Sequence, residues 1–366
     1  MIHDFVIIGG GVAGLSAAIH LAETGAKPLL IEAGTYPAHK ICGEFFSPET
    51  LPILKRWGIF PPVLLHSVTF HAGSENFTFK LPAPAGSMTR YDFDAQLAQY
   101  AQKLGVIVLT NIAVTDIHRD NTDKYQLMLS SGQEVTAKSI IIGTGRVLGL
   151  IKQNITTSAP KYFGIKAHIQ YNDLGDQVHF FSFPGAYLGI SSVGHGVINL
   201  ACLASSELVK KYPTTELFIR DLATKANNKL LDDVITHGTR LFPEWMTCYA
   251  PEFGIKNFPD MPNLYVIGDA AGTIPPASGD GLGIAITSGE LLARYALKHD
   301  SGGFKKAWKS RYAPIINMGK LLHQIMSRPI LAKLVIKVCS YAPSSAKKLF
   351  LKTRYSITQT NSKLKA

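Results

Sequence analysis

Gly9, Gly11 and Gly14 stand in G-x-G-x-x-G spacing, and an acid, Glu32, follows after enough chain for one helix and one strand. The chemistry that uses such a set is the holding of a dinucleotide. The first glycine permits a tight turn, the second lets a pyrophosphate approach the backbone, and the third lets helix and strand pack closely. Unpaired N–H groups at the helix N-terminus then meet the phosphates, and the acid accepts from ribose hydroxyls. Ala13 and Ala33 belong to the same set by position. This first element does not choose between NAD and FAD. A second one lies far along the chain: Gly268-Asp269, a turn containing Pro276, then Gly279, Gly281, Leu282 and Gly283 leading into an apolar stretch. Asp269 is placed to accept hydrogen bonds from a polyol, and the following helix N-terminus to stabilise negative charge on a reduced ring system. A flavin, with its ribityl chain and anionic reduced form, needs both elements; NAD needs only the first.

The surrounding sequence predicts what must position these residues. Phe5-Val6-Ile7-Ile8 and Leu29-Leu30-Ile31 read as buried parallel strands, with a helix from Val12 to Thr24 closed by Gly25 between them. Residues 48–60 read as a short helix with Trp57 and Phe60 in the core. Residues 66–81 alternate as a hairpin turning at Gly73-Ser74, and Met88 to Leu104 is helical. Strands are expected at 106–109, 112–118, 124–130, 134–136 and 139–142, and consecutive antiparallel strands across 162–203. Residues 205–235 are helical. The α/β style then returns with a strand at Leu264–Ile267 and a helix from Leu282 to Leu297.

At 366 residues, 46% hydrophobic and 17% charged, the chain has room for two core-forming domains. The first strand begins almost at Met1, leaving no room for a signal peptide, and no apolar run approaches the roughly 18 residues of a membrane span. A cytoplasmic protein is expected. Cys42, Cys202, Cys248 and Cys339 lack metal spacing, so reduced thiols and no metal site are expected. The net charge of +11 is local: residues 301–366 hold fourteen Lys or Arg and no acid, whereas the preceding 300 hold 23 basic and 26 acidic residues. That excludes a generally nucleic-acid-binding protein and points to one basic C-terminal face. In 330–338, Ile330, Leu331, Leu334, Val335 and Val338 share one helical face, expected to pack on the domain, with Lys333 and Lys337 on another. The functional uses of that face are peripheral contact with anionic lipid or with an acidic carrier protein.

Taken together these blocks resemble the FAD-dependent superfamily that includes para-hydroxybenzoate hydroxylase-type monooxygenases, geranylgeranyl reductases and flavin-dependent halogenases. Besides the two glycine elements, Arg90 and Asp94 resemble the family's Arg-x-x-x-Asp pattern, which puts Arg90 near FAD. Lys40 to Glu44 resembles the K-x-C-G-E loop of the reductase branch, whose cysteine faces the flavin, and Pro184 to Tyr187 resembles its P-G-G-Y segment. Two departures stand out. Leu188 to Ser191 replaces the family's W-x-F-P, and Thr144-Gly145 stands where most hydroxylases have Asp-Gly.

The resemblance implies an α/β fold. A discontinuous, Rossmann-like FAD-binding domain (1–60, 82–160 and 256–300) would carry an inserted antiparallel β-sheet substrate domain (61–81 and 161–255) and a basic helical tail (301–366). FAD would be held by Gly9, Gly11, Ala13, Gly14, Glu32, Ala33, Arg90, Gly268, Asp269, Pro276, Gly279, Gly281, Leu282 and Gly283. Cys42 and Tyr187 are the catalytic candidates, and the phenylalanines at 180, 181 and 183 either line an apolar cavity or build sheet core. His168, His179 and His195 are expected to be strand or turn residues. With no second glycine fingerprint, NAD(P)H would reduce the flavin transiently. The first reading is reduction of a C=C bond in a hydrophobic, isoprenoid- or polyketide-like substrate. The alternative is hydroxylation through a flavin hydroperoxide. A lipid-binding chaperone of the same fold is more distant, and halogenation is disfavoured because Trp57, Trp245 and Trp308 stand outside any W-x-W-x-I-P motif.

Overall fold

The computed structural model describes residues 2–146, 149–150, 161–172, 174–250 and 252–354. Its helices, in chain order, are α1 (Val12–Glu23), α2 (Leu51–Arg56), α3 (Arg90–Lys103), α4 (Ser206–Val209), α5 (Thr215–Ala226), α6 (Lys229–His237), α7 (Gly281–Ala296), α8 (Ser301–Met326), α9 (Pro329–Tyr341) and α10 (Pro343–Lys352).

Strand Ile2–Ile8 has a parallel neighbour on each side, Leu29–Ile31 and Glu134–Ile142, which pair its backbone, and Val6, Ile7 and Ile8 are buried in the core. Ile107–Leu109 extends this sheet beyond Leu29–Ile31, again in parallel. Residues 134–142 form one strand rather than the two separate ones expected, and that strand forks. Its first half pairs antiparallel with Tyr125–Leu129 (Tyr125 opposite Ala137); its second half pairs in parallel with Leu264–Val266 (Leu264 opposite Ile140). A strand from residue 264 onward is thus needed to finish a sheet begun at residue 2. Helices α1 and α7 pack so closely that a Cβ on Gly289 would meet Ser16 and the Ala17 backbone, and Ser16 Oγ donates to the Ile286 carbonyl at 2.7 Å.

Among the described residues the second sheet has nine strands. Tyr162–Gln170, Val197–Ser205, Ala186–Gly194 and Gln177–Phe183 lie side by side and antiparallel. The hairpin Val63–Ala72 and Glu75–Ser87 joins them through a parallel pairing of Gln177–Phe183 with Val63–Ala72. Because Glu75–Ser87 is a single strand, residues 82–87 belong to this sheet and not to the cofactor-side segment that was expected to begin at 82. Trp57 is buried as expected, but Phe60 is exposed, since the chain turns outward toward the hairpin after α2.

After α7 the chain runs through α8, a helix of 26 residues containing Pro314, to α9, which packs on the outer hairpin of the second sheet, and then α10. No described helix is long and apolar enough to cross a membrane. Residues 355–366 of the expected tail lie outside the described residues. One expectation is reversed for four of its five residues: the face of α9 that packs inward is Ala332, Val335, Ile336 and Cys339, whereas Ile330, Leu331, Leu334 and Val338 are exposed. Helical periodicity marks a stripe; it does not say which stripe meets the sheet.

The close approach of α1 and α7 gives a stability prediction. Gly289→Val forces side-chain volume between them and should lower the unfolding free energy by about 1–3 kcal/mol, read as a lower urea midpoint. An unchanged midpoint would show that the two helices part freely.

Candidate active site

At the N-terminal glycines the backbone is shaped from behind. Gly9 has φ +97°, a region that suits glycine, and a Cβ on Gly14 would run into the Gly9 carbonyl. Nothing approaches the corresponding point at Gly11, which is open. The Glu32 carboxylate accepts from the N–H of Gly10 at 2.6 Å and of Gly34 at 2.9 Å, and Tyr36 Oη donates to the Gly10 carbonyl at 2.5 Å. The N-terminus of α1, with Gly11 as its N-cap, has no side chain capping it.

A cavity of about 870 Å³ starts at these glycines and continues under the second sheet. Gly9, Gly11, Glu32, Ala33, Arg90, Asp269, Pro276 and Gly279 all line it, as do Cys42 and Tyr187. Ala13, Gly14, Gly268, Gly281, Leu282 and Gly283 do not. They stand behind its wall: Gly268 is packed against Ala13, and Gly283 against Asp280 and Ser47. The sequence therefore named residues that face the cavity and residues behind its wall, and of the latter Gly14, Gly268 and Gly283 stand where a Cβ would collide.

Asp269 opens onto the cavity. Burial raises its pKa above the usual carboxylate value, while Lys256, Arg146 and Arg90 pull the other way. Lys256 Nζ is held on the Asp269 main-chain carbonyl at 2.7 Å, not on the carboxylate. Tyr187 is buried, its hydroxyl accepts from the Ala277 N–H at 3.1 Å, and burial raises its pKa, so it remains a neutral phenol. It ties the second sheet to the Pro276–Gly279 turn. Of the three phenylalanines weighed, Phe180 lines the cavity, and Phe181 and Phe183 are buried on the other face of the sheet. Alternation along one strand forces that split.

Cys42 sits beside Arg90. The Arg90 guanidinium makes two bonds of 2.6 Å to Asp94 and lies within electrostatic reach of the Cys42 sulfur. Burial works against its charge, but Asp94 and then Cys42 outweigh burial and hold its pKa above the usual arginine value. The cation next to the thiol is therefore Arg90.

The loop carrying Cys42 is fastened by Glu44, the acid that ends the Lys40-to-Glu44 motif and for which the sequence suggested no role of its own. Glu44 is fully buried, with φ +55°. Its Oε1 accepts from Lys166 Nζ at 2.5 Å and from the Arg90 N–H at 2.7 Å; its Oε2 pairs with His168 Nε2 at 2.6 Å. Lys166 Nζ also donates to the Lys40 carbonyl at 2.9 Å, and Asn199 Nδ2 to the Cys42 carbonyl at 3.1 Å. Burial alone would raise the Glu44 pKa; His168 and Lys166 overcome it and leave the pKa below 4.5. His168 is thus more than the strand residue it was expected to be. The one signal open to a sequence reader is a lysine, Lys166, inside the apolar run of residues 163–169, which marks a charge that needs a partner but does not name it.

The set fits a flavin dinucleotide: an uncapped helix start and an open glycine for the phosphates, Glu32 with lone pairs left for ribose, and Asp269 facing the cavity for a ribityl chain. The family model described as FAD dependent oxidoreductase matches residues 4–41. The chain is an FAD-dependent oxidoreductase. Among its relatives, the menaquinone reductase of Mycolicibacterium smegmatis is 22% identical over 368 residues, covering 89% of the enzyme and 85% of the relative. The digeranylgeranylglycerophospholipid reductase of Methanocaldococcus jannaschii is 24% identical over 325 residues, covering 81% and 77%. Among solved structures, a geranylgeranyl bacteriochlorophyll reductase-like protein from Thermoplasma acidophilum superposes with a TM-score of 0.73 at 19% identity, covering 93% of the enzyme and 91% of that chain. Flavin-dependent halogenases share the fold as well, so the fold by itself does not select the chemistry.

Two expectations follow. Glu44→Gln leaves Lys166 buried without its counter-charge and should cost about 3–5 kcal/mol of stability at neutral pH. Because the folded pKa of Glu44 lies below 4.5, its contribution is fully present above pH 4.5 and is lost as the pH falls through the lower folded value. The stability gap between wild type and variant, measured by urea unfolding, should therefore narrow in acid; a gap independent of pH would contradict the ion cluster. Asp269→Ala should weaken FAD binding by about 1–3 kcal/mol by leaving enclosed hydroxyls unpaired, seen as flavin lost on gel filtration. Full retention of flavin would remove Asp269 from the binding set.

Proposed function

We propose that the enzyme reduces a carbon–carbon double bond in a hydrophobic, isoprenoid- or polyketide-like substrate, with NAD(P)H as transient reductant of the flavin. The observation that carries this reading is the Cys42 thiol, held beside Arg90 where the glycine-lined end of the cavity meets an apolar chamber. Val68, Phe70, Phe180, Val335, Ile336 and Phe350 form much of that chamber, which suits a long apolar molecule better than a polar one. The names of the two sequence relatives, reductases of a menaquinone and of a digeranylgeranylglycerophospholipid, support the same substrate class.

FAD, when bound, supplies the hydride. The protein has to supply a proton to the neighbouring carbon. In this reading Cys42 Sγ gives up that proton, and the Arg90 guanidinium stabilises the thiolate left behind. Glu44, Lys166 and Asn199 hold the loop still, so that sulfur and cation keep their places. The apolar chamber excludes water from the reacting carbons. Tyr187, neutral and bonded to Ala277, orients the turn beneath them.

The test is anaerobic. After reduction of the flavin, a geranylgeranyl-chain lipid or a menaquinone is added and the return of oxidised flavin absorbance is followed. Wild type should reoxidise without oxygen. Cys42→Ser should keep its flavin and its reduction by NAD(P)H but slow this step by about 10²–10⁴-fold. If wild type reoxidises only when oxygen is admitted, and Cys42→Ser behaves alike, the reductase reading gives way to hydroxylation.

A further inference from the structure

Helix α9 has two apolar faces. The inner one, Ala332, Ile336 and Cys339, is buried against the outer hairpin and also walls the cavity. The outer one is exposed: Ile330 by 84%, Leu334 by 60%, Val338 by 51% and Tyr341 by 91%. Positions four, eight and eleven residues after Ile330 fall on one side of a helix, so these side chains make a continuous strip and not scattered exceptions. No described residue covers it. Core formation does not explain it either, because the inner face already meets the sheet.

The charges around the strip say what covers it. Lys333 and Lys337 run along one edge, Lys337 lying 3.6 Å from Glu75 while still largely exposed. Lys347 and Lys348 are exposed on α10, which follows directly. From residue 301 to the end the sequence holds fourteen basic residues and no acidic one. Apolar side chains flanked by lysines on a helix lying along the surface suit the headgroup boundary of an anionic bilayer. At 13 residues α9 is about 20 Å long, too short to span an apolar layer of about 30 Å, so it would lie in the plane. An acidic protein partner would be met by the lysines alone and gives the exposed Ile330, Leu334 and Val338 nothing to do.

We propose that α9 docks the enzyme on anionic membrane surfaces, with Ile330, Leu334, Val338 and Tyr341 entering the lipid and the lysines of α9 and α10 meeting phosphate groups. The docking stands apart from the reductase reading. Its use rests on that reading: the helix that enters the lipid is also a wall of the cavity, so a hydrophobic substrate leaving the bilayer has one helix to pass.

The experiment is co-sedimentation of the full-length flavoprotein with vesicles of equimolar phosphatidylglycerol and phosphatidylcholine, and with phosphatidylcholine alone. Wild type should sediment with the anionic vesicles and much less with the neutral ones. Binding should weaken as salt rises from about 0.1 M to about 1 M, which shortens the screening length from about 10 Å to about 3 Å. Leu334→Asp combined with Val338→Asp should lower partitioning by about tenfold or more with flavin content unchanged. Both sites are exposed, so folding should survive. As an independent reading, Ile330→Trp should blue-shift its fluorescence on adding anionic vesicles. Absence of binding to anionic vesicles overturns the proposal. So does binding that the aspartate pair leaves intact, the result expected of a purely charge-driven surface made for an acidic protein. Neither result depends on turnover, so a failure here and a failure of the anaerobic assay are separate outcomes.

Discussion

A carboxylate with no access to water holds the Cys42 end of the cavity in place. Taking Glu44 out of solvent is costly unless its charge is met by partners with good geometry. Lys166, His168 and the Arg90 N–H supply them, from two different segments of the chain. The backbone at Glu44 adopts a φ that few non-glycine residues take up, and the surrounding bonds maintain it. The loop bearing Cys42 is therefore clamped between the start of α3 and the strand Tyr162–Gln170. Should the clamp loosen, the thiol would lose its position relative to Arg90 and to the cofactor end of the cavity at once.

Burial then sorts the polar groups that face the cavity. Tyr187 is kept a neutral phenol and spends its lone pair on the Ala277 N–H, while Arg90 keeps its charge because Asp94 answers it from one helical turn away. The same desolvation that would neutralise an isolated group makes a paired one more firmly charged. One chamber can thus hold a fixed cation, a fixed phenol and a thiol close together without their exchanging roles.

Much of this was legible in the sequence where the information is local. Gly9, Gly11 and Gly14 with Glu32 needed only spacing, since turn, helix and strand follow within about thirty residues of one another. Tyr187 and Cys42 were found through short motifs, and they meet in the cavity. What escaped depends on pairs far apart in the chain. Glu44 and Lys166 are separated by 122 positions, and nothing near either says that a buried lysine will find a buried acid. The reversed faces of α9 have another cause. A helix with apolar residues on more than one side can satisfy its periodicity in two orientations, and only the shape of the surface it meets decides between them. Phe60 is exposed because α2 ends at Arg56 and the helical pattern does not reach it. The forked strand Glu134–Ile142 was cut in two because a change of neighbour midway looks, in sequence, like an ending.

That fork has a consequence for how the molecule comes into being. The glycine fingerprint is synthesised long before the strand Leu264–Val266 that completes its sheet. The cavity is closed later still, by α9 and α10. A nascent chain must therefore wait with an open sheet edge and an unwalled pocket, the state in which non-local topologies are slow to fold and prone to mispairing. The site that takes the cofactor is therefore complete only once segments hundreds of residues apart in the chain have come together.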